Sequence, residues 1–267
     1  GCSTVDDGEG VAYKVKMRGA DDWSIRREIK ESAATWKLRK LPPSTLGQLQ
    51  YRMERDLETI ESIMESHGYY DGTASTDLDA QRTPVRATFI LDMGEPYRFR
   101  HFDLFFLGDT DARLTEIKPR VRRKQRVVAS AVFEEQRRIL ELLSNAGYPF
   151  PKLIKRVVNV DRELRVVDVA LVFDPGKVAY FSEALVEGLD ELPDKYIFRQ
   201  LPWKPGDRYN ARDIEEFERT LLKTSLFKSV RVEPQEPAAY TNAIPITVRV
   251  SERDKRTVRL GVNYSDI

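Results

Sequence analysis

The sequence predicts an α+β protein made of three tandem copies of one unit, each about 80 residues long and running strand, helix, helix, strand, strand. Three observations carry this. An apolar helix that stops at a glycine and an aromatic residue is spelled twice, as "IESIMESHGYYDG" from residue 60 and "ILELLSNAGYPFPK" from residue 139, with Gly68 and Gly147 lying 79 residues apart. A strand pattern restarts after Gly94 and again after Gly176, 82 residues on. Finally, "FEEQRRILELL" (133–143) and "IEEFERTLLKT" (214–224) read as the same helix in the second and third copies. A unit of that size has a thin core and gains from leaning on its neighbours.

In the first copy, Val11, Tyr13, Val15 and Met17 alternate with polar residues, the period of a half-buried strand. A short helix is expected over Asp22 to Thr35, and Pro42 and Pro43 then break the chain. From Thr45, Leu46, Leu49, Met53, Leu57, Ile60, Ile63 and Met64 recur in steps of three and four and mark one helical face. Thr45 and Gln48 fit a capping box, and Gly68 suits the left-handed stop. Strands follow at Thr73 to Asp79 and in "VRATFILD", where Val85, Ala87, Phe89 and Leu91 alternate.

The second copy opens with Phe102, Leu104 and Phe106 on one strand face, then a short helix over Asp109 to Ile117. A longer helix is built around Phe133, Ile139, Leu140 and Leu143, followed by the strands "LIKRVVNV" and "RVVDVALVF". The third opens with "GKVAYFSEALVEG", a short helix over 194–201, and a "KPGD" turn whose Pro205 and Gly206 suit type II. Asn210 caps a helix carrying Ile214, Phe217 and Leu221, and "FKSVRVEP" and "IPITVRVSE" close the copy.

Charge and composition narrow the classes of function. With 44 basic against 43 acidic residues and a net charge of +1, no overall field selects nucleic acid or a membrane surface. One cysteine, Cys2, excludes an internal disulfide and a cysteine-rich metal cage. Gly1-Cys2-Ser3 has two readings, a loose terminus with a free thiol or a lipoprotein start. No apolar run approaches the roughly 20 residues of a membrane helix. In "TVRLGVNY", Val258, Leu260, Val262 and Tyr264 alternate with Thr257, Arg259, Gly261 and Asn263, as in a membrane barrel strand or a soluble one.

The tandem unit, with its glycine-aromatic stop after the second helix, resembles the POTRA domain of the outer-membrane insertases. "WKPGDRYNARDIEEFERTLLKTSLFKSVRVEPQ" resembles the last POTRA before the barrel in the TamA branch of the BamA/TamA superfamily. BamA usually carries five such units and the two-partner secretion transporters two, so three point to TamA. Two departures stand out. Ser225-Leu226 replaces the glycine-aromatic stop, which is expected to alter how that helix ends, and Asn263 replaces a glycine at the start of the family's barrel. The resemblance implies POTRA domains at 11–94, 95–176 and 177–255, after a tail at 1–10 and before a first barrel strand at 256–267. Each would hold a three-stranded mixed sheet covered on one face by two helices.

The resemblance also implies a place and a role: the periplasmic part of a bacterial outer-membrane protein, binding unfolded outer-membrane or autotransporter client polypeptides and a TamB-like periplasm-spanning partner, beside its own C-terminal β-barrel. In the family the second strand of each unit is the free edge. That maps here to Thr73, Ser75 and Asp77, to Ile154, Arg156, Val158 and Val160, and to Lys228, Val230 and Val232. An open edge offers unpaired backbone groups to an extended peptide, the basis of β-augmentation; Lys155, Arg156, Lys228 and Arg231 have a second reading as charges that keep edges from pairing. Alternatives are a POTRA-like scaffold of a BamA-type or two-partner secretion transporter, or a free-standing interaction module.

The basic run "KPRVRRKQR" has two readings, a solvated connection or a contact for anionic lipid or an acidic partner through Arg120, Arg122, Arg123, Lys124 and Arg126. It lacks the interleaved aromatics of a nucleic-acid surface, and nucleic acid is not an expected partner. His67 and His101 have no ligand spacing; His67 is expected to meet free carbonyls at a helix end and His101 to sit on a solvated strand face. Asp77 and Asp79 face the same way and read either as surface or as a weak cation pair. With no phosphate loop, nucleophile elbow or zinc signature, the reading is of a protein without catalytic residues, cofactor or metal.

Overall fold

The computed structural model describes residues 10–108, 112–236 and 241–253. The first part of the chain forms β1 (Tyr13–Arg18), α1 (Trp23–Ser32), α2 (Ala34–Lys37), α3 (Leu46–Ser66), β2 (Thr73–Asp79) and β3 (Val85–Asp92). Next come β4 (Arg98–Phe106), α4 (Ala112–Thr115), α5 (Ala129–Asn145), β5 (Lys152–Asp161) and β6 (Val166–Asp174). The last part contributes β7 (Tyr180–Glu187), α6 (Lys195–Phe198), α7 (Ala211–Lys223), β8 (Phe227–Pro234) and β9 (Ala243–Glu252). The start expected for the helix from Asp109, the Cys2 terminus and the strand expected at 256–267 lie outside the described residues.

Among the described residues there are three mixed three-stranded sheets, in the orders β1-β3-β2, β4-β6-β5 and β7-β9-β8. The strand that comes last in the chain is always central. The tight connection from β2 makes its pairing with β3 antiparallel, Thr73 opposite Asp92, whereas the helical crossover from β1 makes that pairing parallel, Tyr13 opposite Val85. β7 and β8 pair with β9 in the same two ways. The α+β architecture and the order of elements are as the residue periodicity predicts.

By compactness the chain divides into one unit of Gly1–Phe105, Glu116–Gln136 and Lys155–Leu171 and another of Phe106–Thr115, Arg137–Ile154 and Val172–Ile267. In the first, Ile25, Ile29, Leu49, Met53, Ile60 and Met64 from the helices pack with Val85, Ala87, Phe89 and Leu91 of β3. In the second, Phe217 and Leu221 pack with Ile244, Ile246 and Val248 of β9 and with Phe181, which stacks on Trp203 at 4.5 Å between ring centroids. Each buried Val, Leu, Ile, Phe or Met side chain among them contributes about 1.5–3 kcal/mol.

Local chemistry starts and stops the helices. Asp22 caps α1 by accepting from the Ser24 N–H. The single helix expected over Asp22 to Thr35 is broken at Ala33, because the buried Asp56 carboxylate accepts the N–H groups of Ala34 and Thr35 at 2.8 and 2.7 Å and restarts the chain as α2. Thr45 accepts from the Gln48 N–H, while the Gln48 side chain takes the N–H of Ser44, one residue earlier than a capping box would. Leu46, expected on the buried face, is 41% exposed; it lies in the first turn, ahead of Leu49, where contact with the core begins. Phe133 is likewise exposed, lying beneath the Arg156 guanidinium at 4.3 Å from its ring centre.

α3 and α5 end at Gly68 and Gly147, with φ of 88° and 105°, and the third long helix ends at Ser225, with φ 60°. Aligning these stops matches the buried residues: Ile60 and Met64, Ile139 and Leu143, Phe217 and Leu221. Pairing "FEEQRRILELL" with "IEEFERTLLKT" is therefore three residues out of step, close to one helical turn, a slip that an apolar period of three to four permits. As expected, Ser225 changes the termination. The Thr224 hydroxyl donates to the Leu221 carbonyl at 2.6 Å and accepts from the Leu226 N–H, whereas after Gly68 the Tyr69 N–H reaches the Met64 carbonyl directly.

Candidate strand-accepting edges

Each sheet has two outer strands, and the chain's own connection bonds beside the start of the first one. The Val11 N–H donates to the Pro43 carbonyl at 2.7 Å. Beside β4, Phe99 exchanges backbone bonds with Lys124 and Gln125, and beside β7, Phe181 does so with Gly206 and Asp207. The connection leading into each long helix thus covers the start of one edge, and β2, β5 and β8 form the opposite edge, where backbone groups can meet another chain.

On β2, the Ala74 N–H points outward and donates to Glu61 at 3.2 Å. Backbone direction alternates along a strand, so the even-numbered residues carry the outward N–H and C=O groups; Thr73, Ser75 and Asp77, exposed as side chains, turn their backbones toward β3. On β8, Val232 donates outward to Glu218 at 2.6 Å; Val230 shares its parity, and Lys228 lies at a register shift between Phe227 and Ser229. On β5, Ile154, Val158 and Val160 are 53%, 45% and 37% exposed, and Arg156 donates to Gln136 at 2.9 Å.

The basic run forms the turn beside β4. Arg122 accepts from the Gln125 N–H through its carbonyl, and Lys124, with φ 66°, donates its N–H to Phe99. Lys204, Gly206 and Asp207 build the same turn 82 residues later, with Gly206 at φ 93°. Arg126 is not free to meet lipid: it donates to Asp22 at 2.9 Å and lies over the Tyr69 ring. Hydrogen bonds from Ser24 and then Arg126 hold the Asp22 carboxyl down at about 2. Arg120 gives its backbone N–H to buried Glu135, while Arg122, Arg123 and Lys124 are exposed.

The repeated glycine-aromatic stop accepts a backbone bond from the residue just before a following strand. The Tyr97 N–H donates to the Gly68 carbonyl at 2.8 Å, and the Ala179 N–H donates to Gly147 at 2.9 Å. Buried Tyr97 packs edge-on to Tyr70 and donates its hydroxyl to Asp71.

The histidines take structural places. His67 reaches Glu28 at 2.7 Å rather than the helix-end carbonyls, tying α3 to α1. His101 is on an exposed strand face beside Asp168, whose carboxyl is held at about 2 by Arg100 first and also by His101. Asp79 pairs with Arg82 at 2.7 Å, which takes it out of the pair with Asp77. Among the described residues no group of three or more His, Cys, Asp and Glu gathers to hold a metal, and no helix is long and apolar enough to cross a membrane.

Comparison with known proteins agrees with this geometry. Residues 179–253 match the POTRA family, described as a surface antigen variable number repeat. The chain is 24% identical over 219 residues to the outer membrane protein assembly factor BamA of Nitratidesulfovibrio vulgaris, covering 80% of this chain and 27% of that one. It is 19% identical over 277 residues to BamA of Neisseria meningitidis, covering 98% of this chain and 33% of the relative. The chain therefore spans a third or less of these relatives. The crystal structure of Haemophilus influenzae BamA POTRA3-5 superposes with a TM-score of 0.57 at 19% identity, over 91% of this chain and 96% of that one. Residues 179–253 thus match a POTRA domain, and the chain as a whole has the fold of a tandem POTRA region.

BamA of Haemophilus ducreyi lacking POTRA domains 1-3 also superposes, with a TM-score of 0.52 at 16% identity over 59% of this chain and 30% of that one. Three consecutive POTRA domains of a BamA match nearly the whole chain, so a count of three does not select the TamA branch. The residues that sequence reasoning missed are Glu61 and Glu218, the helix carboxylates on the β2 and β8 edges. Their signal was available: both lie seven residues before a helix stop, where the middle copy has Leu140.

Proposed function

We propose that this chain is the periplasmic, strand-binding region of an outer-membrane protein assembly and translocation factor. It binds unfolded outer-membrane client polypeptides by β-augmentation at the second strand of a POTRA sheet. The observation that carries this reading is the strand order: the chain's own connection bonds at or just before the start of each first strand, and β2, β5 and β8 lie at the opposite edge. A nascent barrel strand has backbone groups that need partners before they meet lipid, and a sheet edge supplies them without any catalytic side chain. The assembly role named for the BamA relatives supports the same reading.

The TamA form of this proposal adds autotransporter clients and a TamB-like periplasm-spanning partner, and rests on the pattern of the third unit from Trp203 to Gln235. In both forms the region works beside a C-terminal outer-membrane β-barrel. Photo-crosslinking residues placed singly at Thr76, Val158 and Arg231 of the full-length protein, in cells, test the common claim. Crosslinks to unfolded outer-membrane proteins from at least one position are expected. Crosslinks only from helix-face controls such as Glu58 and Arg219 would overturn it.

A further inference from the structure

Resting on the β-augmentation reading, the three edges are not equivalent. Glu61 on α3 and Glu218 on α7 each reach over their own sheet and accept an outward backbone N–H, from Ala74 at 3.2 Å and from Val232 at 2.6 Å. Measured from Gly68, Gly147 and Ser225, the corresponding helix position in the middle domain is Leu140, whose side chain has no acceptor. An incoming strand must break a charge-assisted bond to pair fully with β2 or β8, a loss of about ten- to a hundred-fold in affinity. At β5 it meets no such competitor from that position.

The strands differ in the same direction. β5 is the longest of the three, ten residues against seven and eight. One face carries exposed Ile154, Arg156, Val158 and Val160 at alternate positions, three of the four apolar, the spacing at which a paired strand places its own side chains. The comparable exposed residues of β2 are Thr73, Ser75 and Asp77, and β8 exposes Lys228, Ser229 and Arg231. Charge adds a preference. β5 carries Lys152, Lys155 and Arg156 against one carboxylate, Asp161, which pairs with Arg100 at 3.3 Å. A strand arriving there is favoured if it is acidic and disfavoured if basic.

We propose that β5 of the middle domain is the open strand-accepting edge of this chain, that Glu61 and Glu218 plug β2 and β8, and that the occupant is an extended polypeptide with alternating apolar residues and flanking carboxylates.

The test uses the full chain and a ten-residue peptide alternating valine and threonine, with an aspartate at each end, read by hydrogen–deuterium exchange. Protection of the amides of 152–161, and not of 73–79 or 227–234, is expected. Leu140→Glu should weaken that protection about ten-fold or more, while Leu140→Met, which keeps the volume without an acceptor, should retain it. Glu218→Met should create protection on β8. Replacing the peptide's aspartates with lysines should weaken binding at β5. Protection falling first on β2 or β8, or an unchanged β5 response in folded Leu140→Glu, would overturn the assignment of β5 while leaving augmentation standing. No protection on any edge would overturn both.

Discussion

Replacing Gly68 with alanine should cost about 2–5 kcal/mol, from two contributions that can be separated. At φ 88° the residue is left-handed, and an L side chain there costs about 1–2 kcal/mol. The new Cβ would also lie 2.4 Å from the Val127 carbonyl oxygen and 3.2 Å from its carbon, backbone atoms that cannot rotate aside. Overpacking of that kind costs about 1–3 kcal/mol more. Gly147→Ala is the internal control: its φ of 105° carries a similar strain, but the nearest atoms belong to the Arg208 side chain, Nε at 2.5 Å, and not to backbone. That variant should lose only about 1–2 kcal/mol. Urea unfolding followed by circular dichroism measures both, and with a slope of about 1–3 kcal/mol per M a loss of 3 kcal/mol lowers the midpoint by about 1–3 M. Equal losses in the two variants would refute the claim that Gly68 is required by close approach of the neighbouring backbone.

Ser225→Gly should raise stability by about 1 kcal/mol in the same assay, since the exposed serine holds φ 60° without needing its side chain in the Thr224 bridge. Asp56→Ala should cost about 2–4 kcal/mol, because the N–H groups of Ala34 and Thr35 lose their acceptor, with Asp56→Asn falling between. Asp22 is held at about 2, below its ordinary 3.8, so its contribution to stability is complete above 3.8 and is lost as pH falls through 3.8 toward 2. Arg126→Gln should move the Asp22 midpoint in an NMR titration upward and reduce that loss in acid.

Much of the fold was legible because its signals are local. Val85, Ala87, Phe89 and Leu91 alternate and are buried, and Ile214, Phe217 and Leu221 recur at helical spacing and are buried. The helix stop at Gly68 and the cap at Asn210 follow from single residues and their preferred backbone. The failures came where two distant segments meet. Asp56 breaks a helix more than twenty residues away, which no period in that helix announces. Phe133 looks like core by composition, yet it is covered by an arginine from a strand. The basic run looked available because its charges are visible in sequence, whereas Arg126's partner, Asp22, is 104 residues distant.

The candidate edges were legible as strands but not as sites. Which residues of β2 turn their backbones outward depends on register against β3, and the parity expected for Thr73, Ser75 and Asp77 is the one that pairs inward.

By itself, the chain's residue order determined the repeated α+β unit, its strand and helix periods and its turns, since these depend on backbone preference and on apolar spacing within a few residues. Only the tertiary structure decided which carboxylates plug the edges and why the stop at Gly68 leaves no room for a Cβ. Those properties are distances between groups far apart in the chain, set when separate elements are packed to contact.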